Sequence, residues 1–294
     1  NTQINNIHGF FGIGPVADVM IEVAVQSGRA VAYATVLDGK GSYSGTSDPT
    51  TVLPMVYGSK KVTLLEIGSI QGIDEFSGSA TLVNHSGWEA EVRADFYERG
   101  MPGVTRSQLL TIRPGEALGY GDFVGEVFGI SSTVGTVVLN SLNGALVSAT
   151  GREFAIQRDE SDEQIIGTAG TQLPGLNDAD LLAPGGTWHV FGMRQAMAGG
   201  ERERSHLAVF NPGLENARIT VSLFNGSDGA AEGSRSWTLE GQELIHINSV
   251  MKKINSEVDG EEKRVEISVD CSVYLHVFRV NTWGDSVTLR AERR

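Results

Sequence analysis

Few residues in this 294-residue chain carry catalytic or ligating chemistry, and their spacing decides what they can do. Gly12-x-Gly14-x-x-Ala17 has the spelling of a dinucleotide-binding turn, in which a buried strand precedes the glycines and a helix follows, its free N–H groups facing a pyrophosphate. Neither context is present. Residues 1–8 are polar and short, Pro15 stands where a phosphate-facing amide is needed, and Val19, Ile21, Val23 and Val25 alternate with Asp18, Met20, Glu22 and Ala24. That two-residue period predicts a half-buried strand over 18–26, with the glycines as the turn that feeds it.

Among the six histidines, His8, His85, His189, His206, His246 and His276, no two stand at ligand spacing along one strand. His206, His246 and His276 fall in strand patterns and read as partly buried, hydrogen-bonded side chains, so no zinc site is expected. The chain has no HExxH, no CxxC pair, no Walker loop and no G-x-S-x-G elbow. Acidic groups gather at Asp159, Glu160, Asp162 and Glu163 and again at Asn177, Asp178 and Asp180. They read as solvated loops between modules, and calcium, which takes about six to eight oxygens, is the one cofactor they admit. No catalytic, cofactor-binding or metal-ligating residue is assigned, and the expectation is that the protein is not an enzyme.

Trp88, Trp188, Trp237 and Trp283, with Tyr43, Tyr57 and Tyr120, are the rings on which a sugar could stack. In a sandwich such rings mostly fill the core. Trp237, alternating with Arg235 and Leu239, is expected inside, while Trp283, in the turn NTWGDS, is the expected glycan contact. Asn84-His85-Ser86 and Asn225-Gly226-Ser227 fit the N-x-[ST] glycosylation pattern. Cys271 is the sole cysteine, which excludes an intramolecular disulfide, and between Val269 and Val273 it reads as a small buried hydrophobe.

The elements that must hold these groups are strands. Short β-branched and aromatic runs are expected at 18–26, 30–38, 61–67, 79–84, 89–97, 106–112, 136–142, 145–150, 206–211, 216–224, 235–239, 243–248, 264–270 and 272–280, separated by Gly, Pro, Asn or Asp. Only single helical turns are expected, near 125–131 and in INSVMKKINSE. The net charge of −13 and pI near 4.9 argue against nucleic acid, whose affinity comes from Lys and Arg. No apolar run of about 18 residues is present to insert in a membrane. The chain has no secretory leader and starts at Asn1, as a processed or partial chain would.

The strands repeat. TLVNHSGWEAEVRADFY (81–97) lies over AVFNPGLENARITVSLF (208–224), and TIRPGEAL (111–118) over TLEGQELI (238–245), so that Asn84 and Asn211, Ala90 and Ala217, and Glu116 and Glu243 are each 127 positions apart. Residues 136–154 overlay 264–282 one position further out of step. Residues 19–37 with DPTTVLP (48–54) resemble the back half of the same module, TVVLNSLNGALVSAT followed by GTQLP. The expected organisation is an incomplete N-terminal module of closing strands at 1–56 and complete modules at 57–177 and 178–294.

The cadence of LAVFNPGLENARITVSLF and IRPGEAL, with AVAYATVLDGKGSYSGTSDPTTVLP, resembles the tandem β-sandwich modules of secreted bacterial multidomain proteins. That resemblance implies an all-β chain of tandem antiparallel Ig-like or jelly-roll-like sandwiches in an extracellular or cell-surface setting. An open half-module would leave Val19, Ile21, Val23, Val25, Val31, Tyr33 and Thr35 as a face in need of cover. These residues are therefore the expected subunit interface, and copies of the chain are its expected partners, joined by strand complementation into a filament or other surface assembly. The alternatives are a carbohydrate-binding sandwich contacting surface glycans, a sandwich-fold hydrolase, and a capsid-like shell protein.

Overall fold

In a computed structural model the residues described are 4, 7–14, 21, 23, 25–27, 33–37, 49–54, 57–70, 76–158, 165–196, 202–259, 261–281 and 286–293. At 8, 33–37, 49–54, 156–158, 165–169 and 261–262 only the backbone is described. The molecule is all-β with antiparallel, open sheets. Near its start a single-turn helix, α1 (Ile7–Phe11), ends at Gly12, whose φ is +66°. The glycines therefore close a helical turn rather than open a helix toward a phosphate. A hairpin follows, β1 (Tyr33–Leu37) against β2 (Pro49–Pro54). Ile21, Val23 and Val25 are exposed and lie outside any strand, contrary to the alternation that predicted one over 18–26. Val19 and Val31 lie outside the described residues.

Nine elements then build a first sandwich: β3 (Lys61–Ile70), β4 (Phe76–Asn84), β5 (Ala90–Glu98), β6 (Arg106–Ile112), β7 (Ala117–Tyr120), α2 (Phe123–Phe128), β8 (Thr133–Ser141), β9 (Val147–Arg158) and β10 (Ile165–Pro174). One layer is ordered β6-β5-β8-β3 and the other β7-β4-β9-β10, joined where β3 turns into β4 through the pairs Ser69↔Ser77 and Ile70↔Phe76. Alternate residues of both layers, among them Val62, Leu64, Leu82, Val92, Phe96, Val137, Leu139 and Ala149, meet in one core closed by Phe123 and Phe128 of α2.

Ten more elements build a second: β11 (Thr187–Gln195), β12 (Arg204–Phe210), β13 (Ala217–Asn225), β14 (Ala231–Leu239), β15 (Leu244–Ile247), α3 (Val250–Ile254), β16 (Glu261–Val269), β17 (Tyr274–Val280), β18 (Ser286–Leu289) and β19 (Ala291–Arg293). Its layers run β14-β13-β16-β11-β19 and β15-β12-β17-β18. Apart from the added β19, this is the strand order of the first sandwich, and α2 and α3 are the single helical turns read from the sequence.

The recurring polar residues have a structural cause. Asn84 is buried; its amide donates to the carbonyls of Trp88, Ile112 and Arg113 at 2.7, 3.0 and 3.2 Å, and its oxygen accepts from Ser86 N–H at 2.8 Å. Asn211 does the same work, donating to Glu215 and Glu240 carbonyls at 2.7 and 2.9 Å and accepting from Gly213 N–H at 3.0 Å. Loop carbonyls buried without a donor would destabilise each sandwich, which explains why the same residue returns at both places. The amide of Asn84 is thus committed internally, and the sequon it begins offers no acceptor for a glycan. Glu116 and Glu243 likewise accept the N–H of Arg113 and Glu240, at 2.7 and 2.6 Å, to fix the turns after β6 and β14.

Candidate functional site

The two sandwiches are joined face to face, and the joint gathers the most unusual chemistry of the described residues. Along β12, Leu207 and Val209 enter the core of the second sandwich, while His206, Ala208 and Phe210 point the other way. Leu244 and His246 of β15 and Tyr274, His276 and Phe278 of β17 share that outward side, because Ala208 is paired with His246 on one flank and His276 on the other. This face packs on β3, β5 and β8 of the first sandwich, where Leu65, Tyr97 and Val138 meet Ala208, Phe210, Leu244 and Tyr274 in a third core. The rings of Tyr97 and Phe210 lie 5.0 Å apart. Burying each of the larger side chains stabilises the joint by about 1.5–3 kcal/mol.

Hydrogen bonds frame this apolar patch. Gly100 N–H donates to Leu244 O at 3.1 Å and Gly103 N–H to Gln242 O at 3.2 Å, so the turn after β5 grips the turn before β15. Tyr274 Oη donates to Asp178 at 2.8 Å, with Lys61 Nζ 3.5 Å from the same oxygen. Burial, followed by this bond to Asp178, pushes the Tyr274 phenol well above its ordinary range.

Beside the patch lies a chain of titratable groups. Glu66, 2% exposed, accepts from His246 Nδ1 with both carboxylate oxygens at 2.8 Å, and Arg99 Nη1 stands 3.8 Å from one of them. His206 Nδ1 is 3.0 Å from His246 Nε2, and the His206 ring stacks on Phe278 with centroids 5.2 Å apart. Burial, then His246 and Arg204, holds His206 down to about 3. Burial and then His246 hold His276 down to about 4. Glu153 on β9 is held well above the usual carboxylate range by burial first and by Glu66 next, with Arg99 opposing.

Glu66 occupies a strained position. β3 carries a bulge in which Leu65 and Glu66 stand opposite Thr136 of β8, and Glu66 has a φ of +58°. β11 has the same bulge, with Phe191 and Gly192 opposite Arg264 of β16, and there the left-handed residue is Gly192 at φ +79°. A side chain in that conformation costs about 1–2 kcal/mol, and the first sandwich accepts it where the second places a glycine.

The other expected residues are placed as follows. Tyr33 and Thr35 lie in β1, with only their backbone described. Trp283 lies outside the described residues, as do Tyr43, Asp159, Glu160, Asp162 and Glu163. Trp237 is half-buried against the second core with Arg235 over its ring, and Trp188 packs there too, under Arg293. Trp88 and Tyr57 are exposed. Asn177 and Asp180 cap each other's turn, and Asp178 is taken by Tyr274 and Lys61, so these oxygens already have partners. Among the described residues no three His, Cys, Asp or Glu side chains converge as a metal site, and no helix is long and apolar enough to cross a membrane. Cys271 is half-buried in the turn between β16 and β17, not in a strand, with Sγ 3.7 Å from Asn216 O.

The histidine chain was out of reach of spacing along the sequence, since it is built by cross-strand register between β15, β12 and β17. One signal did point to it: SHLAVF and YLHVF run apolar without alternation, as strands covered on both faces do. No family model and no curated protein matches the chain.

Proposed function

We propose that the protein is an extracellular structural or adhesive surface protein, the subunit of a filament or other surface assembly built from copies of itself. The observation that carries this reading is the hairpin β1–β2, which among the described residues forms a two-stranded sheet of its own, with β2 lying near β10 and no strand laddered to the outer edge of β1. Such edges template a further strand, and strand addition from a neighbour would complete the sheet. The acidic charge suits a soluble surface component.

The test is the assembly state of the full chain at rising concentration, followed by light scattering and electron microscopy, beside a Thr35→Pro variant that removes a β1 backbone donor. The account expects concentration-dependent, open-ended assemblies from the unmodified chain and their loss in the variant. A monodisperse folded monomer at high concentration would overturn it.

A further inference from the structure

The hydrogen bonds of the joint are all satisfied by one arrangement of protons on its rings. With Glu66 ionised and His246 neutral, His246 Nδ1, at 2.8 Å from both Glu66 oxygens, donates, and its Nε2 accepts from His206 Nδ1 at 3.0 Å. His206 Nε2 is then the bare nitrogen, and it is buried without a partner. His276 reaches the same state by another route. The Thr288 hydroxyl donates to Gln172 O at 3.3 Å, so its oxygen accepts from His276 Nε2 at 3.2 Å, which leaves His276 Nδ1 bare, buried and without a partner. The joint thus encloses two neutral imidazoles, each with one basic nitrogen turned into dry protein.

We propose that the joint is a proton-operated latch, in which acidification charges His206 and His276 and releases the outward face of β15, β12 and β17 from the first sandwich. A proton on either bare nitrogen creates a cation with no acceptor, at an energetic cost that only separation relieves. The charged and titratable neighbours are Arg204 on β12 itself, His246 from β15, His276 from β17, Glu66 from β3, Arg99 from the turn after β5 and Glu153 from β9. Glu66, the carboxylate of this chain of groups, already has both oxygens engaged by His246. A shallow groove lined by Arg99, Gly100, Leu244, His246 and Asn248 opens beside His246.

Both imidazoles are held below their ordinary 6.5, so the stability they lend is fully present above pH 6.5 and is lost as pH falls toward about 4 and 3. Glu153, held above its ordinary 4.5, acts in the opposite sense, since what it lends is present below 4.5 and is lost as pH rises through its folded value. Glu153 therefore opposes release as pH falls, while both imidazoles favour it.

The experiment places a donor and an acceptor dye at Leu109→Cys and Leu214→Cys, both exposed positions, one in each sandwich, in the full chain carrying Cys271→Ser. Between pH 7 and pH 5 the separated population is expected to rise on the order of tenfold per imidazole, and His206→Gln with His276→Gln is expected to abolish the rise. An unchanged distance distribution at pH 5, or a double variant that opens as readily as its parent, would overturn the latch. If the double variant does not fold, the ring signals of His206 and His276 in the unmodified chain decide. Rings that stay neutral until the dyes separate support the latch, and rings that titrate near 6.5 in a closed joint overturn it.

Discussion

The β6-β5-β8-β3 layer of the first sandwich and the β14-β13-β16-β11 layer of the second are built from corresponding strands in the same order, yet the centre of the first is covered by the joint and the second presents Phe191 to solvent. Register aligns Thr63 with His189, Leu65 with Phe191, Glu66 with Gly192, Tyr97 with Phe224 and Val138 with Glu266. In the first sandwich Leu65, Tyr97 and Val138 enter the joint, and Glu66 binds His246. In the second, Phe191 is 58% exposed, Arg264 stacks over Phe224 at 4.1 Å and pairs with Glu266, and Thr220 and Ser222 bond across to Ser236 and Ser234. A stack of modules needs apolar inner faces and a polar terminal one, and the substitutions at these few positions make that difference on a shared backbone.

The comparison breaks most visibly at the aromatic contacts. Phe210→Ala empties the centre of the joint, where the ring is buried against Tyr97, and is expected to cost about 3–5 kcal/mol in denaturant unfolding. Phe191→Ala on the free face is expected to stay within about 0.5 kcal/mol. Equal losses from the two would erase the distinction between the faces. The asparagine plugs sharpen what the sandwiches share: Asn84→Ala and Asn211→Ala should each cost about 1–3 kcal/mol, because each leaves at least two loop carbonyls without the buried donor that ties them. A loss at one site only would mean that the plugs are not equivalent. A further substitution tests the bulges. Gly192→Ala meets only Leu289 Cδ2, at 3.6 Å, so its expected cost of about 1–2 kcal/mol is that of the left-handed backbone alone. Glu66→Gly relieves the same strain but leaves His246 without its acceptor, so calorimetry should show a smaller gain than the backbone allows or a net loss.

Much of the fold could be read from particular residues. The 127-residue offset from Asn84 to Asn211 and from Glu116 to Glu243 marked the repeat, because both residues fix loops that every copy must close. Strands that alternate, such as β5 and β13, were legible for the same reason as any half-buried strand. β11 was not, because its bulge at Phe191 and Gly192 breaks the period and shifts Met193 inward. The expected strand over 18–26 failed in the other direction: Ile21, Val23 and Val25 alternate in sequence, but alternation makes a strand only where a partner strand supplies a ladder. The titratable chain at the joint was the least legible feature. Its four side chains come from β3, β12, β15 and β17, and no local pattern encodes which faces of two sandwiches will meet.

The central claim is that the two sandwiches form one unit through the face of β12, β15 and β17. Equilibrium unfolding of the full chain in denaturant, followed by tryptophan fluorescence together with far-ultraviolet circular dichroism, tests it most directly. The account predicts a single coincident transition that splits in two when Phe210→Ala weakens the joint. Two separate transitions in the unmodified chain, with midpoints that the substitution does not draw further apart, would contradict it.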